Sequence, residues 1–187
     1  MLVSARLLPR DPPNRHPPAS CANKRCKLCP VLKTDTHITS TATKVVYKTH
    51  NHDTDCKSKN VVYCINCMGC GLQYVGSTCT PLNLRINNHR SAVNKASRDS
   101  GADSDCVRLY EHIRQCEPRS FKVQILEIIT EQTRAHAKRA KMLSNLNIEK
   151  TTRIREKDWI SNLHTLYPNG LNMNDGNASQ TRQKRSK

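Results

Sequence analysis

The chain is short of large aromatic side chains and of glycine, with one Phe, one Trp and six Gly in 187 residues. An apolar core built from such a composition is thin for the length, so packing alone is a weak basis for stability. No run of about 18 or more apolar residues is present, which excludes the ordinary transmembrane helix. The apolar stretch at the start is interrupted by Pro9, Asp11, Pro12 and Pro13 before it reaches signal-peptide length. These absences predict an intracellular chain without a membrane partner, made of one domain of ordinary size and its tails.

What the chain does have is cysteine, ten in all, grouped in short-spaced pairs rather than at the wide intervals of a disulfide scaffold. In a reducing compartment that pattern favours metal. Cys67 and Cys70 have the C-x-x-C spacing that presents two thiolates to one tetrahedral ion, and His112 and Cys116, four apart, reach an ion from a single helical turn. A second zinc site is expected from Cys21, Cys26, Cys29 and Cys56, with Cys56 its weakest member and His37, His50 and His52 as alternative fourth ligands. The other reading of that N-terminal set is a scatter of reduced thiols without metal. Cys64, Cys79 and Cys106 remain as small buried or loop residues. Four protein ligands leave no open position for water, so the zinc is expected to be structural.

Thirty-one Lys and Arg against fifteen Asp and Glu give a formal charge of +16. A charge of that size on so small a chain calls for a polyanionic partner, and nucleic acid fits best. Part of it belongs to the basic run 181–187, which reads equally as a solvated tail or a sorting signal.

Residues 1–20 carry scattered prolines and arginines without periodicity and are expected to form a disordered leader. Residues 21–57 read as a Cys/His-rich zinc-binding extension with a strand over 43–47. Between 60 and 65, Val61, Tyr63 and Ile65 alternate with Val62 and Cys64, the period of a strand. A turn holding Cys67, Gly69, Cys70 and Gly71 leads to a second strand over 72–75 that ends at Gly76, completing a hairpin. Thr80-Pro81 opens a helix to about residue 95, with Thr80 as N-cap and Pro81 at its first position. A loop over 95–104, a short helix over 106–115, a strand over 121–128 and one or two helices over 131–166 follow. Ile154, Trp159, Ile160 and Leu163 should face inward from the last of these. The order predicts an α+β fold, a small three-stranded antiparallel sheet flanked by helices. The tail over 173–187 is expected to be basic and disordered.

Val61-Val62-Tyr63, then Tyr74-Val75-Gly76, then Arg85 and His89 resemble the signature of the GIY-YIG endonucleases. The wider pattern of Cys67 and Cys70, Gln73 to Thr78, Glu156, Trp159-Ile160, Leu163, Thr165, Pro168 and Gly170-Leu171-Asn172 is similar to the nuclease domain of Penelope-like retroelements, over roughly 58–172. Val61-Val62 stands for Gly-Ile and Val75 for Ile, changes that keep strand-compatible residues and both tyrosines.

The resemblance implies a metal-dependent DNA endonuclease with Tyr63, Tyr74, Arg85, His89, Glu156 and Asn172 in its site. Glu156 would bind one Mg²⁺ or Mn²⁺ ion, Arg85 and His89 would converge on the scissile phosphate from one helix face, and Tyr63 or Tyr74 would hold the attacking water. Asn172 would orient a hydrogen bond at the site. The family also has Cys and His pairs at the positions of the first zinc site. DNA is the implied partner, a reverse transcriptase in the same polyprotein a further one, and a nuclear location follows from the substrate and the basic tail. Two other functions fit the same residues: a zinc module that binds nucleic acid without cutting it, and a cellular DNA-repair nuclease of the same fold. Taken singly, each residue has a plainer use, a strand Tyr in packing or a helical Arg, His or Glu at the surface.

Overall fold

The computed structural model describes residues 21, 23, 25–95, 106–140 and 147–174. The leader expected over 1–20, nearly all of the expected loop at 95–104 and the tail beyond 174 lie outside the described residues. The elements in chain order are β1 (Leu32–Lys33), β2 (His37–Thr39), β3 (Val46–Lys48), β4 (Val61–Cys67), β5 (Gln73–Thr78), α1 (Leu82–Lys95), α2 (Val107–Gln115), β6 (Phe121–Ile128), α3 (Glu131–Ala140) and α4 (Ile148–Leu163). The fold is mixed α+β, and no described helix is long and apolar enough to cross a membrane.

Strand β4 is the centre of the molecule because both of its faces are apolar. Val61, Tyr63 and Ile65 face one core with Leu82 and Ile86 of α1 and Leu109 and Ile113 of α2. Val62 and Cys64 face a second core with Trp159, Ile160 and Leu163 of α4. The period of two along β4 therefore sorts its side chains into two separate layers. On β6, Val62 pairs with Glu127 but Tyr63 pairs with Ile125, so Leu126 is the extra residue of a bulge. A bulge re-aims the side chains beside it, and here Leu126 and Glu127 both turn toward α4.

The sheet has four strands in the order β1-β6-β4-β5, not the three expected. The three antiparallel members were readable; β1 is added at the outer edge of β6 and runs parallel to it. Two residues show no period, and β1 is placed by contacts made across the chain. Lys122 Nζ donates to the Pro30 carbonyl at 3.0 Å, and Gln124 Nε2 donates to the carbonyls of Asp35 at 3.0 Å and His37 at 2.8 Å.

The strand expected over 43–47 lies at Val46–Lys48 and pairs with His37–Thr39 in a separate hairpin. That hairpin covers the α4 layer: Ser40 Oγ donates to the Leu163 carbonyl at 2.8 Å, and the Tyr47 ring meets Trp159 edge-on. Helix α1 starts one residue later than expected, since the Pro81 carbonyl accepts the Arg85 N–H and the proline is therefore the cap. Asn147 caps α4 by accepting from the Lys150 N–H at 2.8 Å, and His164, in the left-handed region at φ 54°, ends it.

Strand β5 is an outer strand and continues past Gly76 to Thr78. Its free side is covered over half its length by the segment after α4: the Leu171 N–H donates to the Gln73 carbonyl at 2.9 Å, and the Asn172 amide clasps Val75. An open strand edge is a liability for aggregation, and this cover ends it at the point where the candidate site begins.

Candidate active site and metal centres

Tyr63 lies at the centre of β4 with its side chain in the α1 layer, fully buried. Arg85 and His89 stand one turn apart on α1, so both reach it. Arg85 Nε donates to the Tyr63 hydroxyl at 3.2 Å, and His89 Nε2 lies 2.7 Å from the same oxygen. His89 Nδ1 is 3.1 Å from the Tyr110 hydroxyl. Tyr74, on β5, places its ring edge-on to His89 at 6.0 Å between centroids and its hydroxyl 3.2 Å from the Cys106 sulfur.

Gly76 shows why a residue without a side chain follows Tyr74-Val75. A Cβ there would sit 2.8 Å from the Tyr63 hydroxyl and 2.9 Å from the Tyr74 ring. The two rings occupy the space over Gly76 that a methyl group would need, a contact that real Cβ atoms do not make.

The electrostatics follow from burial. Loss of water pushes Tyr63 well above the ordinary phenol range, with the Arg85 guanidinium pulling it back and the Glu156 charge adding to the rise. Burial raises Tyr74 likewise, helped by Tyr63, Cys106 and Glu156. His89 is driven down to about 3, by burial first and by the Arg85 charge second. At neutral pH His89 is thus uncharged, with one ring nitrogen free to accept a proton from a hydroxyl. Arg85 makes no ion pair among the described residues, and its bond to Tyr63 is the only side-chain hydrogen bond it makes there.

Glu156 comes from the opposite layer. Ser77, the residue after Gly76, points to the α4 side and donates to Glu156 Oε2 at 2.7 Å. The carboxylate and the Tyr63–Arg85–His89 cluster therefore meet around the outer strand β5, and its charge is felt by both tyrosines. Glu156 is a half-buried carboxylate, and a carboxylate oxygen is the donor type that suits a hydrated divalent cation, which needs few protein ligands. The donor fits such an ion.

Asn172 bonds the backbone of strand β5. Its Oδ1 accepts the Val75 N–H at 2.9 Å and its Nδ2 donates to the Val75 carbonyl at 2.8 Å. It holds the backbone between Tyr74 and Gly76, and so acts on the site through strand β5.

Two residues of the cluster have no place in the sequence reading beyond filler. Cys106, expected as a small buried or loop residue, is buried against the Tyr74 hydroxyl, and Tyr110 closes the far side of His89. Cys106 and Tyr110 are four apart at the start of α2, a spacing that puts them on one face and was the available signal.

The thiols gather into the two sets expected. Cys67, Cys70, His112 and Cys116 have their ligand atoms within 4.8 Å of one another, as do Cys21, Cys26, Cys29 and Cys56. Tetrahedral zinc with Zn–S of about 2.3 Å separates its sulfurs by about 3.8 Å. The Cys26–Cys56 and Cys21–Cys29 sulfur pairs stand at 3.6 Å, and Cys70 Sγ lies 3.2 Å from His112 Nε2. Both sets are thus compatible with structural zinc. Cys56 fills the fourth place, while His37 bonds Thr36 and His50 bridges the end of β6 through its backbone.

In each C-x-x-C turn the first thiol is prepared for metal in the same way. Burial raises Cys26, but the N–H groups of Cys29 and Leu28 outweigh it and bring the thiol to about 7. Burial likewise raises Cys67, and the N–H groups of Cys70 and Gly69 bring it below the ordinary range. A thiolate held by backbone donors is the form that binds a metal. Gly69 is needed there for another reason, since a Cβ would lie 2.7 Å from the Cys116 sulfur and collide with the Glu117 carbonyl.

Comparison with protein-family models, with curated proteins and with solved structures gives no match.

Proposed function

We propose that the chain is a metal-dependent DNA endonuclease of the GIY-YIG type, of the kind carried by Penelope-like retroelements. The observation that carries this reading is the convergence of Tyr63, Tyr74, Arg85 and His89 on one hydrogen-bonded cluster, with Glu156 facing it across an outer strand. No packing requirement brings an arginine without a carboxylate partner onto a buried phenol, and an incoming phosphate supplies the missing anion.

Arg85 would bind the scissile phosphate with its terminal nitrogens while Nε stays on Tyr63. A divalent cation on Glu156 would supply a charge sink for the developing phosphorane and a polarised water. The Tyr63 hydroxyl takes the proton of the attacking water as its own proton passes to His89 Nε2, 2.7 Å away. The water oxygen forms the new P–O bond, the ester P–O bond breaks, and the leaving oxygen takes a proton from solvent. This relay avoids a free phenolate, which burial makes unfavourable. His89 is a weak base as it stands, and the negative phosphate raises it when substrate is present.

The complete burial of Tyr63 favours a second reading, a zinc module that binds nucleic acid without cutting it. A cellular repair nuclease would use the same residues in the same roles. The retroelement origin, a reverse transcriptase in the same polyprotein and a nuclear location belong to this proposal and rest on the family resemblance.

The test is nicking of supercoiled plasmid in Mg²⁺ or Mn²⁺ by the wild type beside Glu156→Gln, both shown to be folded. Metal-dependent nicking lost in Glu156→Gln is the expected result. Binding without nicking by folded wild type would favour the non-cutting module, and equal nicking by both proteins would remove Glu156 from the site.

A further inference from the structure

On the side of α1 turned away from Tyr63, a cavity of about 410 Å³ opens between the helix and the N-terminal cysteine cluster. Its walls carry Arg25, Lys27, Lys57 and Arg90 with Asn83 and Asn87, and none of its lining residues is acidic. Positions 83, 87, 90 and 94 follow one helix face, while Arg85 and His89 follow another. One helix thus serves two surfaces.

Arg90 is the informative residue. Its guanidinium stacks over the Phe121 ring at 5.5 Å, and its Nη1 is buried with no hydrogen-bond partner. A buried guanidinium nitrogen without an acceptor costs free energy, and Arg90 makes no ion pair among the described residues to offset it. Zinc held by four thiolates would leave two negative charges at the cavity's floor, too few to match four cationic side chains. What the cavity lacks is an anion.

We infer that this cavity is a docking site for the phosphodiester backbone of nucleic acid, in which Arg90 donates to a backbone phosphate and Arg25, Lys27 and Lys57 hold its neighbours. The inference extends the nuclease reading and rests on it for the identity of the ligand. It gives the N-terminal zinc cluster a function, that of fixing Arg25 and Lys27 opposite α1. Since α1 carries Arg85 on its opposite face, the same helix joins the docked backbone to the contact with the scissile phosphate. The asparagines supply amide donors to the same backbone without reading sequence.

The experiment is fluorescence anisotropy of a labelled DNA duplex against the full chain, without added divalent cation, across a range of salt. Arg90→Gln is compared with Lys57→Gln and Lys27→Gln, whose side chains are exposed. Zinc content and unfolding midpoint are measured on each. The expected result is affinity lowered several-fold in each variant at low salt, with the slope of log affinity against log salt reduced by about one per phosphate contact removed. Variants that bind as tightly as wild type and with the same slope would overturn the inference and leave the nuclease reading standing. Binding that depends on the cavity in a protein that never nicks would support the inference while removing the nuclease. Absence of DNA binding by the wild type would overturn both.

Discussion

The two faces of the central sheet each bury an arginine in a polar network, and they treat it in opposite ways. On the α4 side, Arg155 donates to both oxygens of Glu127 at 2.9 and 3.1 Å and to Asp158 at 3.0 Å, while Trp159 Nε1 donates to Glu127 at 2.9 Å. The charges of Arg155, Glu127 and Asp158 are paired with one another. On the α1 side, Arg85 has a phenol oxygen and, among the described residues, no carboxylate, and His89 is neutral between two tyrosines. A closed ionic network locates a helix and leaves nothing for a ligand. An open one, with its cation unpaired and its hydroxyls linked to a neutral imidazole, is arranged for an anion and a proton to arrive.

The largest effect that would test this contrast comes from metal. Stripping zinc with a strong chelator should abolish cooperative unfolding, since the turn joining β4 to β5 carries Cys67 and Cys70 and both tyrosines lie on those strands. Metal analysis should return about two zinc ions per folded chain, and less than one would remove the structural role. Next comes the closed network: Glu127→Ala leaves the Trp159 N–H without its acceptor and Arg155 with Asp158 alone, and should cost about 3 kcal/mol in urea unfolding, with no defect in nicking beyond that of lost fold. A loss near zero would show that the pairing on that face is dispensable. Gly76→Ala should cost about 1–3 kcal/mol by overpacking against the two tyrosine rings, and should abolish nicking even at temperatures where the protein stays folded.

Smallest is a pH effect. His89 titrates near 3 in the folded chain and near 6.5 when unfolded, so between those values the unfolded state binds more protons. The stability from its neutral burial is complete above about pH 6.5 and declines as pH falls toward 3. In His89→Gln the slope of unfolding free energy against pH over that window should flatten by up to about 1.4 kcal/mol per unit. An unchanged slope would mean that His89 is not buried as the structure has it.

Strand β4 was legible because a period of two in Val61 to Ile65 coincides with two apolar layers, and the two C-x-x-C turns because metal chemistry constrains spacing directly. Strands β1 and β2 were not, since Leu32–Lys33 and His37–Thr39 are too short to show a period and are placed by Lys122, Gln124 and Gln73 from far along the chain. Tyr63, Arg85 and His89 were expected together from pattern, and the structure adds what pattern lacks, that one oxygen joins them. Asn172 was expected to orient a hydrogen bond at the site, and its amide binds a backbone 97 residues away, a contact that no local signal encodes. Cys106 was passed over because a lone cysteine outside a metal set reads as filler, although Tyr110 one turn later was the clue.

The most direct measurement is single-turnover nicking by Arg85→Ala at matched zinc content, with its urea midpoint taken on the same preparation. Loss of about 10²–10³ in rate is predicted. The single hydrogen bond given up implies a stability change of no more than about 1 kcal/mol. An Arg85→Ala protein that nicks like wild type, or that loses activity only in proportion to lost stability, would contradict the reading of the open face as an active site.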